Sequence, residues 1–280
     1  MSRIGVLYNS RTKASEELAR ALESRISASH DCWALSTDDE AAAKEAADGT
    51  DVVVSVGGDG TVLRVARIVI PFGIPILGVN MGLVGFMTEI KGSEALEKVP
   101  KYLTSEGRVE ERSTLDVELF EFEDAKTPSA QGRALNDAVV TRGAMPRVCH
   151  IEARIDGAPL TTYQADAAIV ATATGSTSYA LASGGPIVYP ESRDMLLVPV
   201  SPHLSFGTPV IVDPDRVIEL RLFSDPEGIL TIDGQIDYPF RKGQVARIRR
   251  GAKVVKFLRG GPPSGFYANL TNRLRRDQPR

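Results

Sequence analysis

The sequence predicts two domains of different class. The first is an α/β domain with a doubly wound, mostly parallel sheet, because strand and helix patterns alternate through roughly the first hundred residues. The second is β-rich and mainly antiparallel, because short strands with one polar face and Asp-Gly turns follow from there to Arg250. The pattern changes near Arg108, so we place the domains at residues 1–107 and 108–253.

The elements of the first domain follow from the spacing of its apolar residues. Apolar runs typical of buried strands occupy residues 4–8, 51–56 and 74–79. Helical spacing is found through Leu18, Leu22 and Ile26, in an exposed acidic segment at 38–47, and at 61–70. Because strands and helices alternate, we expect a parallel sheet with helices on its faces.

The second domain is predicted from period-two alternation. Apolar and polar residues alternate from Leu115 to Leu119, as in a strand with one face in water. Similar runs occupy residues 151–155, 167–171, 217–222 and 229–232. Asp156-Gly157 and Asp233-Gly234 are turn dipeptides of the kind that join antiparallel strands. We expect one helix after Ser178 and a flexible loop at 123–131.

Composition narrows the class of protein. Hydrophobic residues make up 42% and charged residues 25% of 280 residues, which is typical of a globular protein with a substantial core. The net charge of -3 argues against binding to nucleic acid or to an anionic membrane surface. Cys32 and Cys149 match no disulfide or metal-ligand spacing, and no apolar leader or spanning segment is found. We therefore expect a soluble, cytoplasmic protein.

The first motif is Gly57-Gly58-Asp59-Gly60-Thr61, which follows a buried strand and precedes a helix. Glycines allow a ligand to approach the backbone, and a helix N-terminus favours phosphate. An aspartate there suits a site that holds a metal or accepts a proton from a hydroxyl, although an ordinary N-cap would also explain it. The motif is neither a Walker loop nor a dinucleotide fingerprint, which argues against an ordinary dehydrogenase.

Two further motifs are weaker when taken alone. Residues 80–88 follow the next strand, and Phe86 among them has a ring that could stack on a base. Asn136 and Asp137 precede a strand, and a carboxamide beside a carboxylate can bind paired sugar hydroxyls. Adjacent residues on a strand face opposite ways, so the pair reaches one ligand only at a strand end or bulge. Without a ligand-binding role, residues 80–88 would be a loop that packs its own apolar residues, and Asn136-Asp137 would be a turn before a strand.

The most specific motif runs from Thr172 to Pro186. A strand leads into a hydroxyl-rich turn, a short helix and two glycines, with Asp166 upstream. Capping a helix requires one Ser or Thr, and this segment holds six Ser or Thr residues within twelve positions. We therefore expect several of these hydroxyl groups to bind polar atoms of a ligand.

These motifs, in this order, resemble the NAD kinase family. Gly-Gly-Asp-Gly is shared with other kinases, whereas the Thr-Gly-Ser-Thr-x-Tyr pattern at 174–179 singles out this family. Pro202-His203-Leu204-Ser205 and Asp233-Gly234-Gln235 fit its later segments. Asp137 stands where many members have glutamate, and Ala173 where many have proline.

The resemblance implies the roles of particular residues. Asp59 would be the catalytic carboxylate beside the reacting ribose hydroxyl, and Asn136 with Asp137 would bind the nicotinamide-side ribose. Other contacts to NAD or the nucleotide would come from Gly58, Gly60, Arg64, Phe86, Arg147, Gln164, Asp166, Thr174, Thr177, Ser178, Tyr179, Ala180, Leu181, Ala182 and Gln235. A final segment, 254–280, would return to the first domain, and the protein would form homodimers or homotetramers.

The reaction implied is transfer of a phosphoryl group from ATP or polyphosphate to the 2′-hydroxyl of the adenosine ribose of NAD. We expect Asp59 to orient the hydroxyl and take its proton late, since a carboxylate is a weak base. A divalent cation, Mg²⁺, would be held mainly by the donor phosphates, and no protein cage for it is expected. The alternatives are a lipid or sugar kinase with the same loop, and a catalytically silent dinucleotide sensor.

Overall fold

The structure is a computed structural model that describes residues 2–82, 85–143, 149–203, 206–223 and 227–274. The chain forms two compact units, Met1–Glu111 with Val255–Arg280, and Arg112–Val254. The first unit contains a largely parallel sheet and the second contains antiparallel sheets, which confirms the predicted fold class.

The first unit is built on a seven-stranded sheet. Its strands before the second unit are β1 (Arg3–Tyr8), β2 (Asp31–Ser36), β3 (Val52–Gly57), β4 (Ile76–Asn80), β5 (Ile90–Lys91) and β6 (Arg108–Arg112). Its helices there are α1 (Lys13–Ile26), α2 (Glu40–Ala47), α3 (Asp59–Val69) and α4 (Ala95–Lys101). Short helical turns follow at Ile70–Phe72, Gly92–Glu94 and Tyr102–Glu106.

The second unit consists of two six-stranded sheets and one short helix. Its first strands are β7 (Leu115–Phe120), β8 (Ala130–Ala134), β9 (Asp137–Arg142), β10 (Cys149–Ile155), β11 (Ala158–Ala165) and β12 (Ala167–Ala171). The 3₁₀ turn Gly175–Thr177 and α5 (Tyr179–Ala182) follow. The remaining strands are β13 (Met195–Val200), β14 (Val210–Val212), β15 (Val217–Leu222), β16 (Gly228–Ile232), β17 (Ile236–Phe240) and β18 (Val245–Arg250).

The chain then returns to the first unit with β19 (Val255–Arg259) and α6 (Gly265–Leu274). The sheet order there is β2-β1-β3-β4-β19-β6, with β5 also paired to β4. Strand β4 pairs in parallel with β3, β5 and β19. Because β6 belongs to this sheet, the first unit extends to residue 111, past the boundary predicted at 107.

The extent of burial explains which strands and helices could be predicted from the pattern of apolar residues. Strand β3 is buried over five of its six residues, as expected for a parallel strand covered on both faces. Helix α1 buries Ala19, Leu22 and Ile26 in the same apolar cluster as β1. The edge strand β2 was not predicted, because only Ala34 of its six residues is buried and no apolar alternation marks it.

The largest apolar cluster of the second unit draws on both sheets, so the sheets pack against each other. Their orders are β11-β10-β15-β18-β7-β8 and β14-β13-β12-β9-β16-β17. Asp156 and Asp233 have φ of 50° and 53°, and each precedes a glycine with positive φ in a hairpin turn, as predicted. The loop expected at 123–131 is shorter, because β8 begins at Ala130. The expected helix after Ser178 is a single turn, α5.

Within the described residues, no helix is both long enough and apolar enough to cross a bilayer.

The backbone of Gly5 lies close to the ring of Trp33, and this contact gives a test of the fold. A Cβ added at Gly5 of β1 would overlap the ring of Trp33 on β2. We expect Gly5→Ala to lower the free energy of unfolding by about 1–3 kcal/mol, because the ring of Trp33 has to shift. Urea unfolding followed by the fluorescence of Trp33, the single tryptophan, measures this. The control is Gly261→Ala, where an added Cβ meets nothing within 4 Å. Equal stability of the two variants would refute the packing.

Candidate active site

The glycine loop lies at the carboxyl end of β3, where α3 begins. Gly58 is the N-cap of α3, and Asp59 is its first residue. Gly58 and Gly60 are exposed, and a Cβ added at either would meet nothing within 4 Å. At these two glycines no side chain of the loop obstructs a ligand, and the N-terminus of an eleven-residue helix favours a negatively charged one.

The carboxylate of Asp59 is held by backbone amides of the segment after β4. Phe86 N donates to Oδ2 at 2.8 Å, and Met87 N donates to Oδ1 at 3.2 Å. A Cβ at Gly85 would overlap this carboxylate, so glycine is required there. Each carboxylate oxygen has a second lone pair, so Asp59 can accept one more hydrogen bond from a ligand hydroxyl.

The segment that holds Asp59 is itself fixed by Arg259 at the end of β19. Its Nη1 donates to Met87 O at 3.0 Å and to Glu89 Oε2 at 3.2 Å. Its Nε donates to Glu110 Oε1 at 3.1 Å, and the side chain is buried. Sequence reasoning missed Arg259, because its partners lie about 150 or more positions away in the chain and no local pattern marks them.

Two other predicted residues of the first unit already have protein partners. Arg64 Nη1 donates to Asp38 Oδ1 at 2.9 Å, so a ligand would have to compete with this ion pair. The side chain of Phe86 is buried, and the guanidinium of Arg273 on α6 lies 5.6 Å from its ring centroid. In this structure the ring therefore faces a cation, and it is the backbone of Phe86 that contacts Asp59.

In the second unit, three segments meet at one end of a sheet. Asp137 on β9 is paired with Ala171 at the end of β12. The next residue, Ala138, is paired with Ile232 at the end of β16. Asn136 and Asp137, the turn after β12, and the β16–β17 hairpin turn are therefore neighbours. Asn136 precedes β9, so the pair lies at a strand end, as its use by one ligand requires.

Asp233 fixes the backbone that presents this pair. Its Oδ1 accepts from Asn136 N at 2.7 Å and from Asp137 N at 3.1 Å, and its Oδ2 accepts from Leu135 N at 2.9 Å. Asp233 has positive φ in the turn, which places its side chain beside β9. The sequence marked Asp233 as a turn residue, and its contact with these three amides appears only in the structure.

The hydroxyl groups of the turn after β12 mostly bond within the protein. Thr172 Oγ1 donates to Leu135 O at 2.6 Å and accepts from Gly175 N at 3.1 Å. Ser176 Oγ donates to Ala173 O at 2.6 Å, and Thr177 Oγ1 donates to Thr174 O at 3.0 Å. These groups hold the turn in place, so fewer of them face a ligand than the sequence suggested.

The same end of the sheet holds polar atoms whose hydrogen-bonding capacity is unused. Asn136 Oδ1 and Thr174 Oγ1 are buried, and neither has a hydrogen-bond partner. Among the described residues, none donates a hydrogen bond to the buried carboxylate of Asp137. Burial, and secondarily the charge of Asp233, raise the pKa of Asp137 to about 7. Leaving such groups unpaired is costly, and this points to a ligand with several hydroxyl or amide groups.

The remaining predicted residues do not all join this end. Gln235 lies in the adjoining hairpin turn, whereas Asp166 precedes β12 at its opposite end and Gln164 lies on β11. Asp166 Oδ1 is 3.5 Å from Nε of Arg142. Arg147 lies outside the described residues. Residues 178–182 follow the hydroxyl turn, with Ser178, Tyr179 and Ala182 exposed, Leu181 half-buried and Ala180 buried.

Histidine and metal-ligating side chains are not gathered at either site. His203 N donates to Gln164 O at 2.7 Å, so its backbone has a structural role. In the part of the chain that the structure describes, no group of three or more His, Cys, Asp or Glu could hold a metal ion.

Residues 2–107 match the family model of the ATP-NAD kinase N-terminal domain, and residues 135–260 match that of the C-terminal domain. The NAD kinase of Dehalococcoides mccartyi strain CBDB1 is 39% identical, over 98% of this chain and 96% of that protein. The NAD kinase of Chloroflexus aurantiacus J-10-fl is 37% identical over 99% of both chains.

Two solved structures are similar in fold. An Archaeoglobus fulgidus NAD kinase in complex with ATP has a TM-score of 0.75, 26% identity and 98% coverage of both chains. A yeast NADH kinase complexed with NADH has a TM-score of 0.86, covering 100% of this chain and 89% of that one. The yeast enzyme is 21% identical, so this likeness concerns the fold alone.

The raised pKa of Asp137 gives a pH-dependent test. The folded state binds its proton more tightly than the unfolded state, whose carboxyl has the ordinary pKa, so this group lowers stability as the pH rises from about 4 to about 7. Asp137→Asn removes the titration. We expect it to match the wild type near pH 4 and to exceed it by on the order of 2–4 kcal/mol at pH 8.

Urea unfolding at a series of pH values measures this difference. Asp124→Asn, which removes an exposed carboxylate from the same unit, is the control and should change stability little. A difference between Asp137→Asn and wild type that stays constant from pH 4 to pH 8 would contradict the raised pKa.

Proposed function

The chain belongs to the NAD kinase family, and we propose that it transfers a phosphoryl group from ATP to the 2′-hydroxyl of the adenosine ribose of NAD, giving NADP. The observation that carries the proposal is the Asp59 carboxylate, fixed by two backbone amides beside an open glycine loop at a helix N-terminus. A fixed carboxylate orients a hydroxyl, and a glycine-containing helix N-terminus accommodates phosphate.

The proposed reaction is an in-line displacement. The ribose 2′-oxygen forms a bond to the terminal phosphorus of ATP, and the bond from that phosphorus to the bridging oxygen breaks. The bridging oxygen keeps the electron pair and leaves with ADP, while the hydroxyl proton passes to the Asp59 carboxylate. Because such transition states are loose, orientation by Asp59 contributes more than its basicity.

The second unit supplies the groups that would hold NAD. Asn136 Oδ1, Thr174 Oγ1 and the Asp137 carboxylate are buried acceptors without donors in the described part of the chain. The two hydroxyls of a ribose are donors that match such acceptors. Asp233 would act through the backbone of the pair, because it holds the amides of both residues.

A divalent cation such as Mg²⁺ would supply neutralisation of the donor phosphates. Mg²⁺ is commonly held by one or two carboxylates together with phosphate oxygens and water, so a dedicated cage is not required. Asp59, at the start of α3 and partly exposed, is a carboxylate suited to that arrangement.

Several finer features are part of the proposal. ATP as donor is supported by the Archaeoglobus relative, whose structure contains ATP. A cytoplasmic location is supported by composition and by two free cysteines. A lipid or sugar kinase and a silent sensor are not favoured, because the curated relatives that span nearly the whole chain are NAD kinases.

A homo-oligomer is supported by the position of Asp166. It lies at the end of β12 opposite to Ala171 and Asp137, about 16 Å away for five residues of strand. If both carboxylates bind NAD, Asp166 of one subunit could complete the site that holds Asp137 of another subunit. We propose that sites are shared in this way between subunits of a homodimer or homotetramer.

Removing the charge of Asp59 tests the reaction. Asp59→Asn is expected to bind NAD within about threefold of wild type and to lose 10²–10⁴-fold in turnover, because the proton acceptor is lost. NADP formation from ATP, Mg²⁺ and NAD gives the turnover, and calorimetric titration gives the affinity. Asp48→Asn, which changes an exposed carboxylate after α2, is the matched control. Turnover of Asp59→Asn within a few-fold of that control would exclude the assigned role.

Subunit complementation tests the shared site. Asp137→Asn and Asp166→Asn should each lose most activity alone. Co-expressed, they should form mixed dimers in which one of the two sites is intact, and these dimers should have roughly half of the wild-type activity. Two tags purify the mixed species. If it is as inactive as the parents, the two carboxylates do not come from different subunits.

A further inference from the structure

The last helix of the first unit brings a second arginine to the segment that holds Asp59. Cζ of Arg273 on α6 lies 5.6 Å from the ring centroid of Phe86. The backbone amide of Phe86 is the one that donates to Asp59 at 2.8 Å. Arg273 is half-buried, and it lies beside the residue that directly contacts the reacting carboxylate.

Apart from its contact with the Phe86 ring, the guanidinium of Arg273 makes neither a hydrogen bond nor an ion pair within the described residues. Arg259, on the neighbouring β19, donates instead to Met87 O, Glu89 and Glu110. An arginine carries five N–H donors, and partial burial weakens their contact with water. The nitrogens of Arg273 are not among the fully buried unpaired atoms, so a ligand can still reach them.

Of the two arginines near Asp59, Arg259 is paired with carboxylates, whereas Arg273 is available to bind an anion. Burial, and then the charge of Arg259, lower the pKa of Arg273, while the carboxylates of Glu89, Asp59 and Glu110 act in the opposite direction. Glu89 and Glu110 are already hydrogen-bonded to Arg259. Asp59 is hydrogen-bonded to two amides. None of these three carboxylates is hydrogen-bonded or ion-paired to Arg273.

We propose that Arg273 is a further catalytic residue, which binds the phosphate chain of the phosphoryl donor and stabilises the charge that leaves with it. This rests on the proposed function, in which Asp59 contacts the hydroxyl that attacks the terminal phosphate. A guanidinium matches two phosphate oxygens with its planar fork, and its charge opposes the negative charge that develops on the bridging oxygen. Lysine has the same charge but lacks the planar group that can donate two parallel hydrogen bonds to phosphate.

The test compares Arg273→Ala and Arg273→Lys with Thr271→Ala, an exposed position on the same helix. Initial rates of NADP formation are measured with ATP and NAD varied in turn. We expect Arg273→Ala to lose about 10²–10³-fold in kcat/KM for ATP, as when a charge-stabilising group is removed. Its KM for NAD and its Tm should stay close to those of Thr271→Ala. Arg273→Lys should recover part of the loss.

Chemical rescue separates a direct role from a structural one. Guanidinium ion at millimolar concentration should raise the rate of Arg273→Ala and leave that of Thr271→Ala unchanged. Wild-type protein that forms no NADP would overturn the proposed function itself. Active wild type with an unaltered kcat/KM for ATP in Arg273→Ala would overturn the role of Arg273 alone. The role is also overturned if the loss appears in the KM for NAD and guanidinium gives no rescue.

Discussion

The reactive end of the first unit depends on one buried arginine. Arg259 holds the carbonyl of Met87, and the amide of Met87 holds the carboxylate of Asp59. Glu89 and Glu110 compensate the charge of Arg259, which is necessary because an unpaired buried charge costs about 3–5 kcal/mol. The position of Asp59 is thus set by a residue at the end of the strand that returns from the second unit.

The second unit uses the opposite charge for a similar purpose. The carboxylate of Asp233 accepts hydrogen bonds from the amides of Leu135, Asn136 and Asp137. With the backbone held in this way, the side-chain acceptors of Asn136 and Asp137 are left available for a ligand. In each unit, a charged side chain that is distant in sequence, Arg259 or Asp233, fixes the backbone of the segment that carries the motif residues. Arg259 and Asp233 therefore act on the motif residues through the backbone, and not by direct contact with a ligand.

Sequence reasoning was most successful where local chemistry was decisive. The fold class and the family are confirmed, because apolar periodicity, Asp-Gly turns and glycine loops are local signals. It was less successful where chain segments distant in sequence meet. The first unit was expected to end at 107, and β6 extends it because this strand joins the sheet beside β19. Several hydroxyl groups of the turn were expected to bind a ligand, and those of Thr172, Ser176 and Thr177 donate hydrogen bonds to backbone carbonyls.

The sequence by itself determined which residues are candidates for binding and catalysis. These are Asp59 in the glycine loop, the Asn136-Asp137 pair before a strand, and the hydroxyl-rich turn that begins at Thr172. The tertiary structure decided which of their atoms are free. Thr172 is occupied whereas Thr174 is unpaired, and Arg259 is neutralised whereas Arg273 is not. Hydrogen bonds and ion pairs depend on distances of about 3 Å between groups far apart in the chain, and only the folded chain sets those distances.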